Sequence, residues 1–251
     1  MNVVFNPFSL EGKHVLVTGA SSGIGKAIAI ACSKMGATIY LTARNKSRLQ
    51  ETLIMLENGQ HQILPADLTK EEDRNMLVQQ LPLLDGVVQS AGVGGRTLCR
   101  SIKRENINDI FFPNFQAPVL LQTALLEQKK IRKEASVVFI ASRAAEAPSV
   151  GNAVYSASKG AVISYAKVLA LELAPRKIRV NCINPAMVWT DLILQNGTFS
   201  MTELEDAQLK YPLKRYGTPE DVAYLSIYLL SDASSWMTGS CVDLTGGALN
   251  L

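Results

Sequence analysis

A tyrosine and a lysine stand four positions apart in the stretch AVYSASKGAV, residues 153–162, and a serine, Ser142, precedes that tyrosine by thirteen positions. On a helix a spacing of four brings Tyr155 and Lys159 to one face. A free tyrosine titrates near ~10, and lowering that by roughly three units takes about 4 kcal/mol of preference for the phenolate. A unit charge at ~4 Å, in an effective dielectric of ~20, supplies about that much. The pair is therefore predicted to exchange a proton with a substrate oxygen near neutral pH. Ser142 lies just after the apolar run SVVFI, at what reads as the carboxyl end of a parallel strand, where doubly wound sheets place their ligands. Its hydroxyl could hold a carbonyl or alkoxide oxygen. Alone, the pair reads equally as helix packing and the serine as a turn residue; their company argues for chemistry.

A second group lies upstream. VTGASSGIGKAIAIACSKMG follows an apolar strand-like run directly and opens a helix, with Gly19, Gly23 and Gly25 at the turn. Such glycines let the chain reverse tightly and bring backbone N–H groups against a pyrophosphate at a helix N-terminus. The alternative is a merely flexible turn.

The elements that must carry these residues are legible from the hydrophobic pattern. Short apolar runs recur between helical segments: HVLVT at 14, TIYL at 38, GVVQ at 86, SVVFI at 136, RVNCI at 179 and CVDL at 241, with a weaker QIL at 62. Continuous rather than alternating apolarity predicts strands covered on both faces. Strand and helix in alternation predict parallel pairing with right-handed crossovers. The fold class is accordingly α/β: a single Rossmann-type domain over residues 1–251, with a doubly wound parallel sheet of about seven strands and helices on both faces. Residues 192–217 form an irregular excursion longer than an ordinary connection and are expected to be a substrate lid, or else a packing insert.

Composition narrows the field. Hydrophobic residues make up 47 % of the chain and charged ones 19 %, which fits a globular core and not a disordered chain. A net charge of +3 is too weak a field to argue for nucleic acid. The four cysteines form no C-x-x-C pair, and MNVVFNPFSL lacks a basic leader region, so a reducing, cytoplasmic setting is expected. Two histidines without H-E-x-x-H argue against a metal site, and the apolar helix AVISYAKVLALELA carries Lys167 and Glu172, against a membrane span.

Thr18-Gly19-Ala20-Ser21-Ser22-Gly23-Ile24-Gly25 matches T-G-x-x-x-G-I-G, and after it come Asp67-Leu68, Ala91-Gly92, Asn114, Ser142, Tyr155 with Lys159, Asn184-Pro185 with Thr190, and Gly246-Gly247. In this order, over nearly the whole chain, these motifs resemble those of the short-chain dehydrogenase/reductase family. The resemblance implies a nicotinamide dinucleotide held by Gly19, Ser21, Ser22, Gly23, Ile24 and Gly25, with Asp67 and Leu68 flanking the adenine. It implies further contacts from Ser90, Ala91 and Gly92, from Tyr155 and Lys159, and from Pro185, Val188 and Thr190 beside the carboxamide. Ala43 stands where NAD-preferring members carry Asp, and Arg44 follows, so NADP(H) is expected with NAD(H) as the second choice; a solvated turn arginine is the alternative. Catalysis is implied at Ser142, Tyr155 and Lys159, and at Asn114 through a held water, in a helix that Pro113 and Pro118 must disturb. Asp67 is free for the cofactor if Thr69 and Glu72 form a capping box for the next helix; otherwise it braces its loop. Two departures are visible: Gln89-Ser90-Ala91-Gly92 replaces N-N-A-G, and Ala186 replaces the glycine after Pro185.

The expected activity is the interconversion of a small-molecule carbonyl and its alcohol. Met187, Trp189, Leu192, Leu194, Phe199 and Met201 favour an apolar or extended substrate, or serve only as lid packing. The basic run EQKKIRK resembles the surface by which 3-oxoacyl-reducing members receive an acidic carrier, so a carrier-linked acyl chain is one candidate; a solvated helix end is the other reading. The all-round apolar helix from Ala153 to Ala174 needs cover on a second face, which fits the homotetramers common in that family. A catalytically idle nucleotide-binding protein on the same fold is the competing function.

Overall fold

Seven strands pair in parallel in the order β3-β2-β1-β4-β5-β6-β7. They are β1 (His14–Thr18), β2 (Thr38–Thr42), β3 (Gln62–Ile63), β4 (Leu84–Gln89), β5 (Ile131–Ile140), β6 (Arg179–Pro185) and β7 (Cys241–Leu244). The computed structural model describes residues 5–191, 193 and 200–248. Within them the apolar runs become the strands, and the doubly wound reading holds.

Alternation along each strand divides the core in two. Leu16, Val87, Val137 and Val180 point toward α3 (Glu71–Gln80), α5 (Ala117–Glu127) and α6 (Ala153–Leu173). Val15, Val88, Val138 and Ile183 point the other way, toward α1 (Gly23–Lys34), α2 (Lys46–Ile54) and α8 (Pro219–Leu230). Every one of these eight strand residues is fully buried, and each contributes about 1.5–3 kcal/mol by leaving water. That is why the strands read as unbroken apolar runs.

The sheet reverses direction of winding between β1 and β4, which pair at Val15↔Gly86 through Val17↔Val88. A crevice opens at the carboxyl ends of strands at such a point. Gly86 keeps the strands close, since a Cβ there would press on Val15 and Leu230.

Beyond β6 the chain leaves the sheet. A short helix α7 (Met201–Gln208), closed by a capping box between Ser200 and Glu203, packs Leu204 with Tyr211, Tyr216 and Ala248 into a third small cluster. Leu192, Leu194 and Phe199 lie outside the described residues. α4 (Arg104–Phe111) runs into α5 through a wider turn at Phe112–Gln116, where the Ala117 N–H reaches back five residues to the Phe112 carbonyl. This is the disturbance that Pro113 foretells, because proline removes a donor and widens the spiral. Among the described residues no helix is long and apolar enough to cross a membrane.

Candidate active site

The glycine turn is built by contacts that forbid side chains. Gly19 has φ +67°, and a Cβ there would sit 2.9 Å from the Ala91 Cα; one on Gly25 would run into the Gly19 carbonyl. The partner loop is tied down from β1, since the Thr18 hydroxyl oxygen accepts from both the Ser90 and Ala91 N–H groups at 3.0 Å. These bonds use backbone donors, so Gln89-Ser90-Ala91-Gly92 keeps the loop in place despite its altered first two residues. Ala186 is harmless too: it is not among the residues of positive φ, and its N–H reaches the Leu244 carbonyl at 3.0 Å.

α1 begins without a side-chain cap on its N-terminal amides, because Ser22 makes no capping hydrogen bond and its first turn holds no acid. The helix end thus offers N–H donors and partial positive charge to an anion. Gly25→Ala is expected to push the turn open, weakening binding of the expected dinucleotide by more than about tenfold and costing about 1–3 kcal/mol of stability. Fluorescence titration and thermal melting check this; unchanged affinity would show that the turn holds no phosphate.

One cleft of about 1450 Å³ runs from this turn across the carboxyl ends of the strands. Every predicted site residue except Asn114 lines it: the glycine turn, Arg44, Asp67, Leu68, Ser90, Ala91, Gly92, Ser142, Tyr155, Lys159, Pro185, Val188 and Thr190.

At its centre, the Ser142 hydroxyl stands near enough to the Tyr155 hydroxyl to favour the phenolate form. Ser142 is also held by the Ala144 N–H, which donates to its oxygen at 3.1 Å and makes it the cap of the short turn Arg143–Ala145. Lys159 is buried, its Nζ 2.9 Å from the Ile140 carbonyl at the end of β5 and 5.9 Å from the centre of the Tyr155 ring. Burial brings its ammonium down from 10.5 to about 8, opposed by the Cys182 thiol beneath it.

The expected acidic phenol is not found in the protein alone. Burial pushes the Tyr155 phenol above its ordinary value of 10.0, and the Ser142 hydroxyl only partly offsets this. Lys159 spends its charge on the Ile140 carbonyl rather than on the phenol oxygen. Tyr155 therefore carries its proton at neutral pH.

Asn114 stands behind the cleft wall. Its Oδ1 accepts from the Val93 N–H at 2.7 Å, and its Nδ2 donates to the Val93 carbonyl at 3.0 Å and to the Ser158 hydroxyl at 3.1 Å. A Cβ on Gly92 would lie 3.0 Å from that Oδ1 and 3.5 Å from Lys159 Nζ. Asn114 thus fastens the Gly92-Val93 loop to α6 beside the lysine.

Asp67 departs from expectation. Thr69 does not cap α3, whose N-cap is Lys70; instead Asp67 Oδ1 accepts from the Thr69 N–H and hydroxyl at 3.0 and 2.7 Å, bracing its own loop. Burial alone would push its carboxyl up, but those bonds and the Arg44 and Lys70 charges outweigh it and hold it below the ordinary range.

Three features were not anticipated. Arg143 forms ion pairs with Glu146 and with Asp243 of β7, clamping the residue after Ser142. Asp243 also accepts from the Asn184 amide at 3.1 Å. Arg48 joins Asp191 at 2.7 Å across the mouth of the cleft. No local signal marks the contacts of Asp243 and of Arg48, because their partners lie 59 to 143 residues away along the chain.

Of the expected apolar rim, only Met187, Trp189 and Met201 fall among the described residues. Met187 lines the cleft, but Trp189 turns to Tyr216 and bonds Gln208, and Met201 points to solvent. Glu203, Asp206 and Lys210 line it together with Ile193, Leu204, Tyr211 and Tyr216. The basic run lies at the amino end of β5, about 30 Å from Ser142 at ~3.3 Å per residue, with Lys130 bonded to the Gln79 and Leu81 carbonyls and Arg132 to Asp85. It is at the wrong end of the sheet to deliver a substrate.

A family model described as enoyl-(acyl carrier protein) reductase matches residues 19–248. A 3-oxoacyl-(acyl-carrier-protein) reductase of Rickettsia felis is 31 % identical over 240 residues, 96 % of this chain and 98 % of that one. The L-xylulose reductase of Caenorhabditis elegans is 32 % identical over 249 residues, 97 % and 98 % of the two chains. Among solved structures, a short-chain glucose/ribitol dehydrogenase from Brucella melitensis superposes with a TM-score of 0.89 at 28 % identity, covering 96 % of this chain and 98 % of that one.

Proposed function

The chain belongs to the short-chain dehydrogenase/reductase family of oxidoreductases, and from that premise we propose that it interconverts a ketone and a secondary alcohol with NADP(H), using Tyr155 as the proton donor and acceptor. The observation that carries this reading is the gathering of Ser142, Tyr155 and buried Lys159 in the one cleft onto which the glycine turn opens. The residues present fit a dinucleotide: the turn is a cradle that any Cβ would fill, and an uncapped helix N-terminus faces it. When bound, that cofactor supplies or accepts the hydride.

A carbonyl oxygen entering between Ser142 and Tyr155 meets two hydroxyls. The Ala144 N–H fixes the Ser142 oxygen, so its proton is free to turn toward the substrate. Tyr155, kept protonated by burial, hands its proton to the oxygen as charge develops there. The Lys159 ammonium, held by the Ile140 carbonyl, stabilises the phenolate that results. Asn114 is a positioning residue that keeps the Gly92-Val93 loop against Lys159.

Arg44, exposed at the end of β2 on the cleft wall, supports the choice of NADP(H) through a contact to the 2′-phosphate. Arg44→Ala is expected to raise the Michaelis constant for NADPH by about 10- to 100-fold, the worth of a charged hydrogen bond, and to leave that for NADH within about twofold. Equal effects on both cofactors would contradict the contact.

In this reading residues 192–217 serve as the substrate lid, supported within their described part, 200–217, by the small core that Leu204, Tyr211 and Tyr216 form with Ala248 and by the charged side chains placed on the cleft. Leu204, Tyr211 and Tyr216 line the cleft beside Glu203, Asp206 and Lys210, and this mixed rim suits a carbonyl compound with both apolar and polar parts. Exposed Val168 and Leu171 on α6 support self-association, which light scattering reads directly. NADPH consumption across sugars, hydroxyketones, steroids and 3-oxoacyl thioesters tests the function. Turnover of a ketone in one of these classes is expected; NADPH binding with no turnover of any would favour a cofactor-binding protein without catalysis.

A further inference from the structure

Cys182 and Cys241 sit directly opposite each other on adjacent parallel strands, β6 and β7, and both are free thiols. Cross-strand neighbours in register point to the same face. Here that face is the core layer beneath α6, of which Cys182 is a fully buried member and against which Cys241 packs. Adjacent strands run ~4.7–4.9 Å apart, inside the ~4.4–6.8 Å separation of α-carbons that a disulfide spans. The two thiols are close enough for each to shift the titration of the other.

We propose that this pair is a reversible oxidation site, in which a hydroperoxide closes a disulfide between β6 and β7. Nothing in the proposed hydride chemistry uses either thiol. β7 is the edge strand, and Cys241 is only partly buried, so an oxidant as small as hydrogen peroxide has a path to its sulfur. Cys182, wholly enclosed, has none of its own.

The electrostatics give the two sulfurs different tasks. The neighbouring Cys182 thiol, and after it the Lys167 ammonium, bring the Cys241 thiol down to about 7 against burial and the Glu146 and Asp243 carboxylates. The Cys182 thiol is pushed well up, first by Cys241 beside it and then by burial, with Lys159 and Lys167 pulling the other way. Cys241, the sulfur that an oxidant can reach, is therefore the attacking thiol.

Its sulfur takes the terminal oxygen of the peroxide, the O–O bond breaks, and water leaves with a sulfenic acid left on Cys241. The Cys182 sulfur then displaces that oxygen as a second water. One S–S bond forms, two thiol protons depart in the waters, and the sulfurs give two electrons to one molecule of peroxide. A thiol reductant reverses the link by exchange.

The exposed Cys99 is a lone thiol and would confuse the assay, so Cys99→Ser serves as the background. Reduced Cys99→Ser protein is treated with hydrogen peroxide, digested without reductant and weighed. The expected result is a loss of two hydrogens, a cross-linked peptide pair holding Cys182 and Cys241, and return of both free peptides after dithiothreitol. Adding Cys182→Ser should abolish the link and leave a sulfenic acid on Cys241 that dimedone traps. Two free thiols at peroxide doses that oxidise Cys99 in the wild type would overturn the proposal, as would sulfinic acid at Cys241 without any cross-link. Both readouts are masses and stand apart from enzymatic turnover.

Discussion

Tyr155→Phe is expected to cut carbonyl reduction by about 10³-fold in kcat, the range of a lost general acid and equivalent to about 4 kcal/mol of transition-state stabilisation. The ring stays, so the packing of α6 against the sheet is retained. Only the hydroxyl facing Ser142 is removed, and Ser142 keeps the Ala144 N–H. NADPH affinity should therefore change by less than about threefold and the melting temperature hardly at all, since neither rests on that proton. A variant that keeps a tenth or more of wild-type turnover would shift the proton donor elsewhere, to Ser142 or to water. The direction of the Tyr155 shift adds to this expectation: a phenol held above its ordinary value is an acid in waiting at neutral pH, so reduction should be the easier direction there.

Lys159→Met should have two opposed consequences. Turnover falls by about 10²-fold or more, because the phenolate left after proton transfer loses its cation. Stability of the cofactor-free protein rises. An ammonium whose value falls from 10.5 to about 8 on folding opposes folding by roughly 3 kcal/mol while it is charged in both states. Methionine removes that burden, less about 1 kcal/mol for the lost bond to the Ile140 carbonyl. A net gain of about 2 kcal/mol corresponds to about 4–8 °C for a chain of this length. The sign with pH is fixed: below about 8 the lysine is charged folded and unfolded, so the full burden is present. Between about 8 and 10.5 the unfolded chain holds the extra proton, wild-type stability rises with pH, and the variant's advantage shrinks. Melting curves of both proteins from pH 7 to 10 check this, and an advantage that is absent at pH 7 or grows with pH would contradict the buried cation. Such an exchange of activity against stability is expected where a charge is buried for function.

Much of this site could be read from the chain because its parts are local. A glycine turn announces itself by spacing, the Tyr155–Lys159 face by helical period, and the position of Ser142 by the apolar run before it. The disturbed helix at Asn114 was legible for the same reason, since Pro113 acts on its own backbone neighbours. What sequence misjudged depends on the third dimension. Whether the phenol gains or loses acidity is decided by burial against one cation, and burial belongs to the assembled fold. The Thr69 capping box fits its pattern, yet Asp67 takes the Thr69 hydroxyl first. Trp189 lies among pocket residues in sequence, but Tyr216 and Gln208 draw it away. The basic run is strong in composition and sits at the amino ends of the strands, opposite the site.

The most direct measurement follows deuterium. Each of the two NADPH diastereomers labelled at C4 is incubated with a turned-over ketone and either wild-type protein or Tyr155→Phe, and the alcohol is analysed by mass spectrometry and NMR. One diastereomer should place a single deuterium on the carbinol carbon with wild type, while the variant yields almost no alcohol. Alcohol lacking deuterium from both labels, or labelled equally fast by the variant, would contradict a site in which hydride and phenol proton meet at one carbonyl.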